Sequence, residues 1–446
     1  MPVKVETTQP LPGLSPVAGK AIIARFDGGQ ISSDAGVLVL REVEQRLGVA
    51  ECLAACIDDP RLPERVRHGV ADILRFRMLM IAAGYEDGND ADSLRHDPVF
   101  KLALDHLPGG DALRSQPTIS RLENLPGTRS LLRMARAMVG LYCDSVRQVP
   151  RRIVLDVDDT FDAVHGERQL RLFNAHYDEY GFQPIVVFDG EGRPVTAMLR
   201  PAKRPSGREA RAFLRRLVRA IRGHWPRVEI LIRADSHYCA PEVLDFCRAE
   251  GLDFMLGVAP TTTLRRHVEA LESSTAAQRI GGGKLRRYKG FLDGAGSWSR
   301  VERIIARVEA GPDGTDTRFI VTNLSNGAAR RLYERTYCKR GQAENHIKAW
   351  KRHLAADRTS CSRATANQFR LMLHTAAYWL MWSLRSLMPK RSTWRVAQFD
   401  TLRLRLLKLA AQVVTLKTRV MLHLSSACPY QSVLRLALGR MARLIS

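Results

Sequence analysis

The 446-residue chain has no Cys-x-x-Cys pair; its eight cysteines are scattered at positions 52, 56, 143, 239, 247, 338, 361 and 428. That scatter argues against a zinc site or a disulfide framework and fits a reducing cytosol. Long apolar runs are missing too. The most apolar stretch, Leu371 to Leu384, is too short to span a bilayer and carries His374, so it reads as a core helix. No charged-then-apolar leader opens the chain, no lipidation signal accompanies its basic segments, and no repeat of fixed period is visible. A membrane partner is therefore not expected.

Acid is the other scarcity. Lys and Arg number 69 against 46 Asp and Glu, for a net charge of +23. From Arg358 to Ser446 there are fifteen Lys or Arg and one acid, Asp400, and Arg200 to Arg222 holds nine cations against Glu209 alone. Such an excess points to a polyanionic partner, with double-stranded DNA the foremost candidate. Hydrophobic content of 45% is that of an ordinary globular protein, and the length suffices for about three domains.

The stretch that organises the rest runs from Tyr337 to Lys351, YCKRGQAENHIKAWK. Its residues favour a helix of about four turns. On a wheel at roughly 100° per residue, Tyr337, Arg340, Glu344 and Lys351 share one stripe. A phenol, two cations and a carboxylate make a poor core face. They suit a phosphate ester, with the cations and phenol on its oxygens and the carboxylate on a metal ion. The same stripe also reads as a solvated face held by the Arg340–Glu344 pair.

Upstream, composition and periodicity change twice. Residues 1–18 are rich in Pro and small polar residues and read as an extended arm. A short strand is expected at Ala21 to Phe26, then a helix start capped by Ser33 or Asp34. Helical periodicity follows over Val37–Leu47, Arg65–Ala83, Pro98–Leu104, Thr118–Asn124 and Ser130–Val146. Residues 116–124 read either as a short groove-entering helix or as a plain structural one. After Pro150 the order is mixed α/β. Strands are expected at Arg152–Asp158, Phe182–Phe188, Pro194–Leu199, Val228–Arg233 and Asp253–Val258. A helix from the capping box Ser206–Glu209 to Arg222 and another over Pro241–Glu250 lie among them. Residues 261–330, with Gly281–Gly283 and alternating segments, suggest a small β-rich insertion. Ala364–Met388 and Phe399–Leu424 read as long helices.

Two strand ends supply further acids. Asp156 and Asp158 share one face of their strand, with Asp159 opposite or already in the turn, and Asp235 ends another strand. Taken alone, each Asp is more ordinarily a cap or turn-maker. Together with Glu344 they form an all-oxygen set that favours hard ions, Mg²⁺ or Mn²⁺. Two such ions clamp the attacking and leaving oxygens of a phosphodiester displacement.

These residues resemble the bacterial insertion-sequence transposases of the DDE class, which have an RNase H-like core. The likeness is to the cut-and-paste branch with a Tyr-x2-Arg-x3-Glu-x6-Lys signature, whose every spacing is met by Tyr337, Arg340, Glu344 and Lys351. The resemblance implies Asp158, Asp235 and Glu344 as catalytic acids holding two Mg²⁺ or Mn²⁺ ions, with Asp156 the alternative first ligand. Asp158 is preferred because Asp159 and Thr160 follow it, as in the family's Asp-x-Thr pattern. Tyr337, Arg340 and Lys351 would contact DNA phosphates, and Trp298 is the candidate for holding a flipped base, or else a core residue.

The implied layout is an extended arm (1–18), a mostly helical DNA-binding region (19–149) and the first part of an α/β RNase H-like core with a mixed sheet (150–260). A β-rich insertion (261–330), a core helix with the third acid (331–357) and a basic helical C-terminal region (358–446) complete it. The expected partners are transposon ends and target DNA, bound as a homodimer in the bacterial cytoplasm. A rival reading takes Asp156-x-Asp158-x-Thr160 as the first motif of a Mg-dependent haloacid-dehalogenase-like phosphatase, with Asp156 the nucleophile. A third is a catalytically silent DNA-binding derivative.

Overall fold

A computed structural model describes residues 11–279 and 283–444. The N-terminal third is helical: α1 (Val37–Leu47), α2 (Val49–Ala54), α3 (Val70–Ala83), α4 (Ala91–Leu94), α5 (Pro98–Ala103), α6 (Gln116–Glu123) and α7 (Thr128–Asp144). In α1 the apolar positions Val37, Leu40 and Val43 recur at helical spacing and are fully buried. Gly48, at φ +60°, ends α1 and opens α2, a left-handed turn suited to glycine.

Two expectations for this region need correcting. Neither Ser33 nor Asp34 caps α1; Gly36 holds that place with no side-chain cap. The reason is that Asp34 is buried and engaged by Tyr85 and Lys408. Residues 21–26 form no strand and have no sheet partner among the described residues; the strand that does form is β1 (Ile31–Ser32). Of the extended arm, residues 1–10 lie outside the described residues, and 11–18 are exposed.

The centre is an eight-stranded mixed sheet. In chain order its strands are β2 (Arg152–Asp159), β6 (Ile185–Asp189), β7 (Pro194–Met198), β8 (Glu229–Ala234), β9 (Asp253–Val258), β10 (Leu285–Asp293), β11 (Glu302–Gly311) and β12 (Gly314–Thr322). Between β2 and β6 lies a small sheet of β3 (Asp162–Ala163), β4 (Leu172–Asn174) and β5 (Glu179–Phe182). The large sheet runs β10-β11-β12-β9-β8-β2-β6-β7. Among the described residues the parallel pairings are β2 with β8 and β8 with β9, and the buried Ile, Val, Leu and Phe of these strands reflect a sheet covered on both faces. Asp189 accepts bonds from the amides of Glu191 and Arg193, which makes the β6–β7 turn. Helix α8 (Gly207–His224) begins with the expected reciprocal Ser206–Glu209 cap, and α9 (Pro241–Ala249) follows β8.

The segment expected as an insertion contains α10 (Thr262–Arg266), α11 (Glu269–Ala277) and β10 to β12. Its strands continue the main sheet, because β12 pairs antiparallel with β9 from Phe319↔Val258 to Thr322↔Met255. Gly281 and Gly282 lie outside the described residues.

The helix carrying Glu344 is not uniform. It passes through α12 (Ala329–Arg331), a π-helical stretch Leu332–Tyr337, a tight turn Cys338–Arg340, α13 (Gly341–Lys348) and a second π stretch Ala349–His353. Each change of winding rotates later side chains away from a constant 100° wheel. Trp350, fully buried, fastens this run to α14 (Ala364–Ser386) by donating to Thr375 Oγ1 at 3.1 Å. Helix α14 is buried almost throughout and packs on α3 and β7.

The C-terminal expectation is corrected. Phe399–Leu424 is not one helix: α15 (Phe399–Leu402) and a π turn end at Leu407, and β13 (Ala411–Thr415) and β14 (Val420–Leu424) form a hairpin. Its β-branched Val413, Val414 and Thr415 favour extended backbone, and β1 supplies the outer partner at Ile31↔Gln412. Helix α16 (Gln431–Gly439) and a short helical turn, Met441–Arg443, end the described chain. Buried side chains from Ala35 to Met441 form the main core, and Leu231, Met255, Ile305, Ile320, Leu332 and Tyr333 form a second, smaller cluster. Among the described residues no helix is long and apolar enough to cross a membrane.

Candidate active site

The parallel pairing of β2 with β8 positions the first two acids. Asp156 faces Arg233 and Val157 faces Ala234, so one more step of register sets Asp158 beside Asp235. Asp235 caps the turn Ser236–Tyr238 by accepting from the His237 amide at 2.9 Å through Oδ1. Its Oδ2 is left facing Arg340. The capping and site readings of Asp235 thus hold together, one on each oxygen.

Arg340 gathers the three acids. Its guanidinium lies 3.6 Å from Asp158 Oδ2, 3.9 Å from Asp235 Oδ2 and 3.9 Å from Glu344 Oε1. None of these contacts is close enough for a hydrogen bond, and the buried Nε has no partner. Asp158 is buried while the Glu344 side chain is 74% exposed. Burial pushes the Asp158 carboxyl up to about 7; Arg340 opposes this, and Asp235 and Asp159 add to it.

Two residues back on the same strand, Asp156 is differently placed. Arg233 donates to both its oxygens, at 2.7 and 2.6 Å, and both side chains are 3% exposed. Arg233 also donates to the Thr336 carbonyl, tying the strand to the helix that carries Glu344. Asp156 is thus buried and matched one to one with a guanidinium, unlike Asp158.

The Tyr337 hydroxyl lies 3.4 Å from the Ala234 carbonyl, as donor, and burial raises the phenol to about 12. A Cβ on Gly257 would stand 2.9 Å from the Ser236 amide and 3.0 Å from the Tyr337 hydroxyl, so glycine there makes room for this packing. Lys351 is drawn off the stripe. It sits 2.8 Å from the buried Asp162 and donates to the Phe161 carbonyl at 2.6 Å and Thr160 Oγ1 at 3.2 Å. Trp298, in the β10–β11 loop, is half-buried against the core.

Sequence reasoning missed two groups. His237 Nδ1 lies 3.4 Å from Asp159 Oδ1 and 3.8 Å from Asp235 Oδ2, and its pKa is raised chiefly by the Asp159 bond. A histidine two residues after a strand-end Asp was the available signal. Arg233, the one buried charge in a strand whose other charge, Glu229, lies exposed at its start, was the other.

Among the described residues no three His, Cys, Asp or Glu side chains are grouped as ligands of a single ion. The donor chemistry still fits a hard cation: carboxylates converge on one guanidinium, and the buried Asp159 Oδ2 has no hydrogen-bond partner. Extra positive charge would relieve the acid crowding that Arg340 leaves only partly neutralised.

Set against known proteins, residues 14–446 match the family described as "Transposase DDE domain group 1". No curated protein matches the chain. A solved structure, the cryo-EM synaptic complex of piggyBac transposase with hairpin DNA, is similar at a TM-score of 0.38 and 10% identity. That alignment covers 89% of this chain and 88% of the other, a likeness too low to bear on fold or function.

Proposed function

The chain belongs to the transposase DDE domain group 1 family, and from that premise we propose that it binds the terminal inverted repeats of its own element and performs cut-and-paste transposition. It is an enzyme of DNA cutting and joining, and the finer reading gives it an RNase H-like core in an insertion-sequence transposase of bacterial cytoplasm. The observation that carries the site assignment is the single guanidinium of Arg340 within 4 Å of Asp158, Asp235 and Glu344. The bidentate Asp156–Arg233 pair supports Asp158 over Asp156 as first ligand, and leaves a phosphatase nucleophile at Asp156 without support.

Asp158, Asp235 and Glu344 would hold two Mg²⁺ or Mn²⁺ ions, which when bound activate the attacking oxygen and neutralise charge on the phosphodiester. Arg340, from among these acids, offers its Nη groups to a non-bridging phosphate oxygen. His237, raised toward its cationic form by Asp159, stands at the open side to hold a second oxygen. Tyr337 packs the helix against the strand that ends in Asp235, which keeps Arg340 and Asp235 in fixed relation. Water attacks first, and the freed 3′-hydroxyl is then the nucleophile, finally on target DNA. No covalent bond to the protein forms.

Exposed arginines along α8, Arg211, Arg215 and Arg219, would track the DNA backbone, so affinity should fall steeply with added salt. Two ends must be held together, so at least two copies act on DNA. The decisive experiment uses a duplex carrying a terminal repeat: Asp235→Asn and Glu344→Gln should each retain binding and lose Mg²⁺-dependent nicking. Nicking that survives would remove these residues from the site. Hydrolysis of a small phosphomonoester, lost on Asp156→Asn, would favour the phosphatase.

A further inference from the structure

The ammonium of Lys351 is a buried charge that the reaction described above does not use. It comes from the second π stretch, Ala349–His353, beyond Glu344 in the same helical run. Three acceptors surround it: Asp162 Oδ1 at 2.8 Å, the Phe161 carbonyl at 2.6 Å and Thr160 Oγ1 at 3.2 Å. An ammonium has three N–H donors, so all of them are in use. The Lys351 side chain is 18% exposed and that of Asp162 is 0% exposed. Among the described residues Asp162 has no other ion-pair partner. A Lys351 that turned to a phosphate would leave that buried carboxylate alone, which is strongly unfavourable.

What Lys351 grips is the end of the strand that carries the first acid. Thr160, Phe161 and Asp162 follow Asp158 and Asp159 directly. The small sheet fixes the same segment from another side. The Thr160 amide donates to the Pro184 carbonyl at 3.2 Å, Asp162 pairs with Phe182, and the Phe161 ring stacks on Tyr177 with centroids 4.3 Å apart. Glycine at 181 allows this closeness, since a Cβ there would overlap the Asp162 carbonyl oxygen and the Phe161 ring.

A second tie lies at the other end of the helical run, where Arg233, paired with Asp156 of β2, donates to the Thr336 carbonyl. Arg340 and Glu344 stand between the two ties. Regular α-helical winding would keep Lys351 on the stripe of Tyr337, Arg340 and Glu344. The π winding at Ala349–His353 turns it instead toward the strand end.

We propose that Lys351 is a positioning residue: with Asp162 it clamps the end of β2 to the helix of Glu344, and so sets Asp158 and Glu344 in register for the reaction without itself touching DNA. The proposal rests on the DNA-cutting reading of this site and departs from the phosphate contact that the sequence resemblance implies for Lys351. A misplacement on the scale of an ångström is costly to the chemical step and not to end binding.

The test separates binding from chemistry. In chelator, Lys351→Met should bind a terminal-repeat duplex within about twofold of the parent chain, with the same slope of log Kd against log salt. With Mg²⁺ its nicking kcat should fall about tenfold or more. Asp162→Asn should do the same, and the double variant should be no worse than the poorer single one, because both act through one contact. Lys351→Arg keeps the charge but brings a planar fork where a compact ammonium sat, so it should stay impaired. Nicking is read well below each variant's melting midpoint, so that loss of folded protein does not enter kcat. If Lys351→Met does not fold, Lys351→Arg and Asp162→Asn decide the matter. A salt slope lowered by about one on Lys351→Met, or full recovery of kcat by Lys351→Arg, would mean a direct phosphate contact and overturn the proposal. An undiminished kcat in the folded variants overturns it as well. A parent chain without Mg²⁺-dependent nicking strikes the functional reading and this proposal together, whereas a parent that nicks beside a variant of altered slope strikes the proposal alone.

Discussion

Two acid–arginine pairs lie two residues apart on β2 and have opposite characters. Asp156 and Arg233 are matched one to one, with two bonds of 2.6–2.7 Å. Arg340 is shared among three acids, none closer than 3.6 Å. The first arrangement satisfies its charges and holds two elements together. The second leaves negative charge in excess beside an open side, which is what a site for cations and phosphates requires. Residue type alone does not separate them; completeness of pairing does.

The contrast breaks most visibly if the matched pair is cut. Arg233→Met leaves Asp156 buried without a partner and frees the Thr336 carbonyl, and should cost about 3–5 kcal/mol in urea unfolding. A loss under about 1 kcal/mol would mean the pair is not the anchor described. Lys351→Met strands the buried Asp162, whose carboxyl burial already raises to about 7. That acid would take up a proton, limiting the loss to about 1–3 kcal/mol.

Asp158 should behave in the opposite sense. Its folded value, near 7, lies above the unfolded value of about 3.9. Its contribution to stability is therefore fully present below about pH 4 and lost as pH rises through 7. In chelator-containing buffer Asp158→Asn should be more stable than the parent chain by about 1–3 kcal/mol at pH 8, with the gap closing at pH 4. Equal stability at both pH values would show that burial does not raise the Asp158 carboxyl. The smallest effect belongs to Glu344→Gln, whose exposed side chain should move stability by no more than about 0.5 kcal/mol while nicking is lost.

Much of the fold is legible locally. The β2 and β9 strands and the α1 and α8 starts stand where alternation, helical spacing and the Ser206–Glu209 cap place them, because these are properties of neighbouring residues. The errors have through-space causes. Asp34 does not cap α1 because Tyr85 and Lys408 hold it. The expected helix Phe399–Leu424 gives way from Ala411 to a hairpin that needs β1, far away in sequence. Lys351 leaves the expected stripe because π turns rotate it and Asp162 captures it.

The order and spacing of Tyr337, Arg340, Glu344 and Lys351, the acids at strand ends, and the cationic surplus are written in the chain itself, and they suffice to indicate phosphodiester chemistry. Which acid is bound in a matched pair was decided only in three dimensions. Arg233 lies 77 residues from Asp156, and no local pattern tells a strand which partner the sheet will bring beside it. Electrostatic fate depends on distance and burial, and both are properties of the packed molecule.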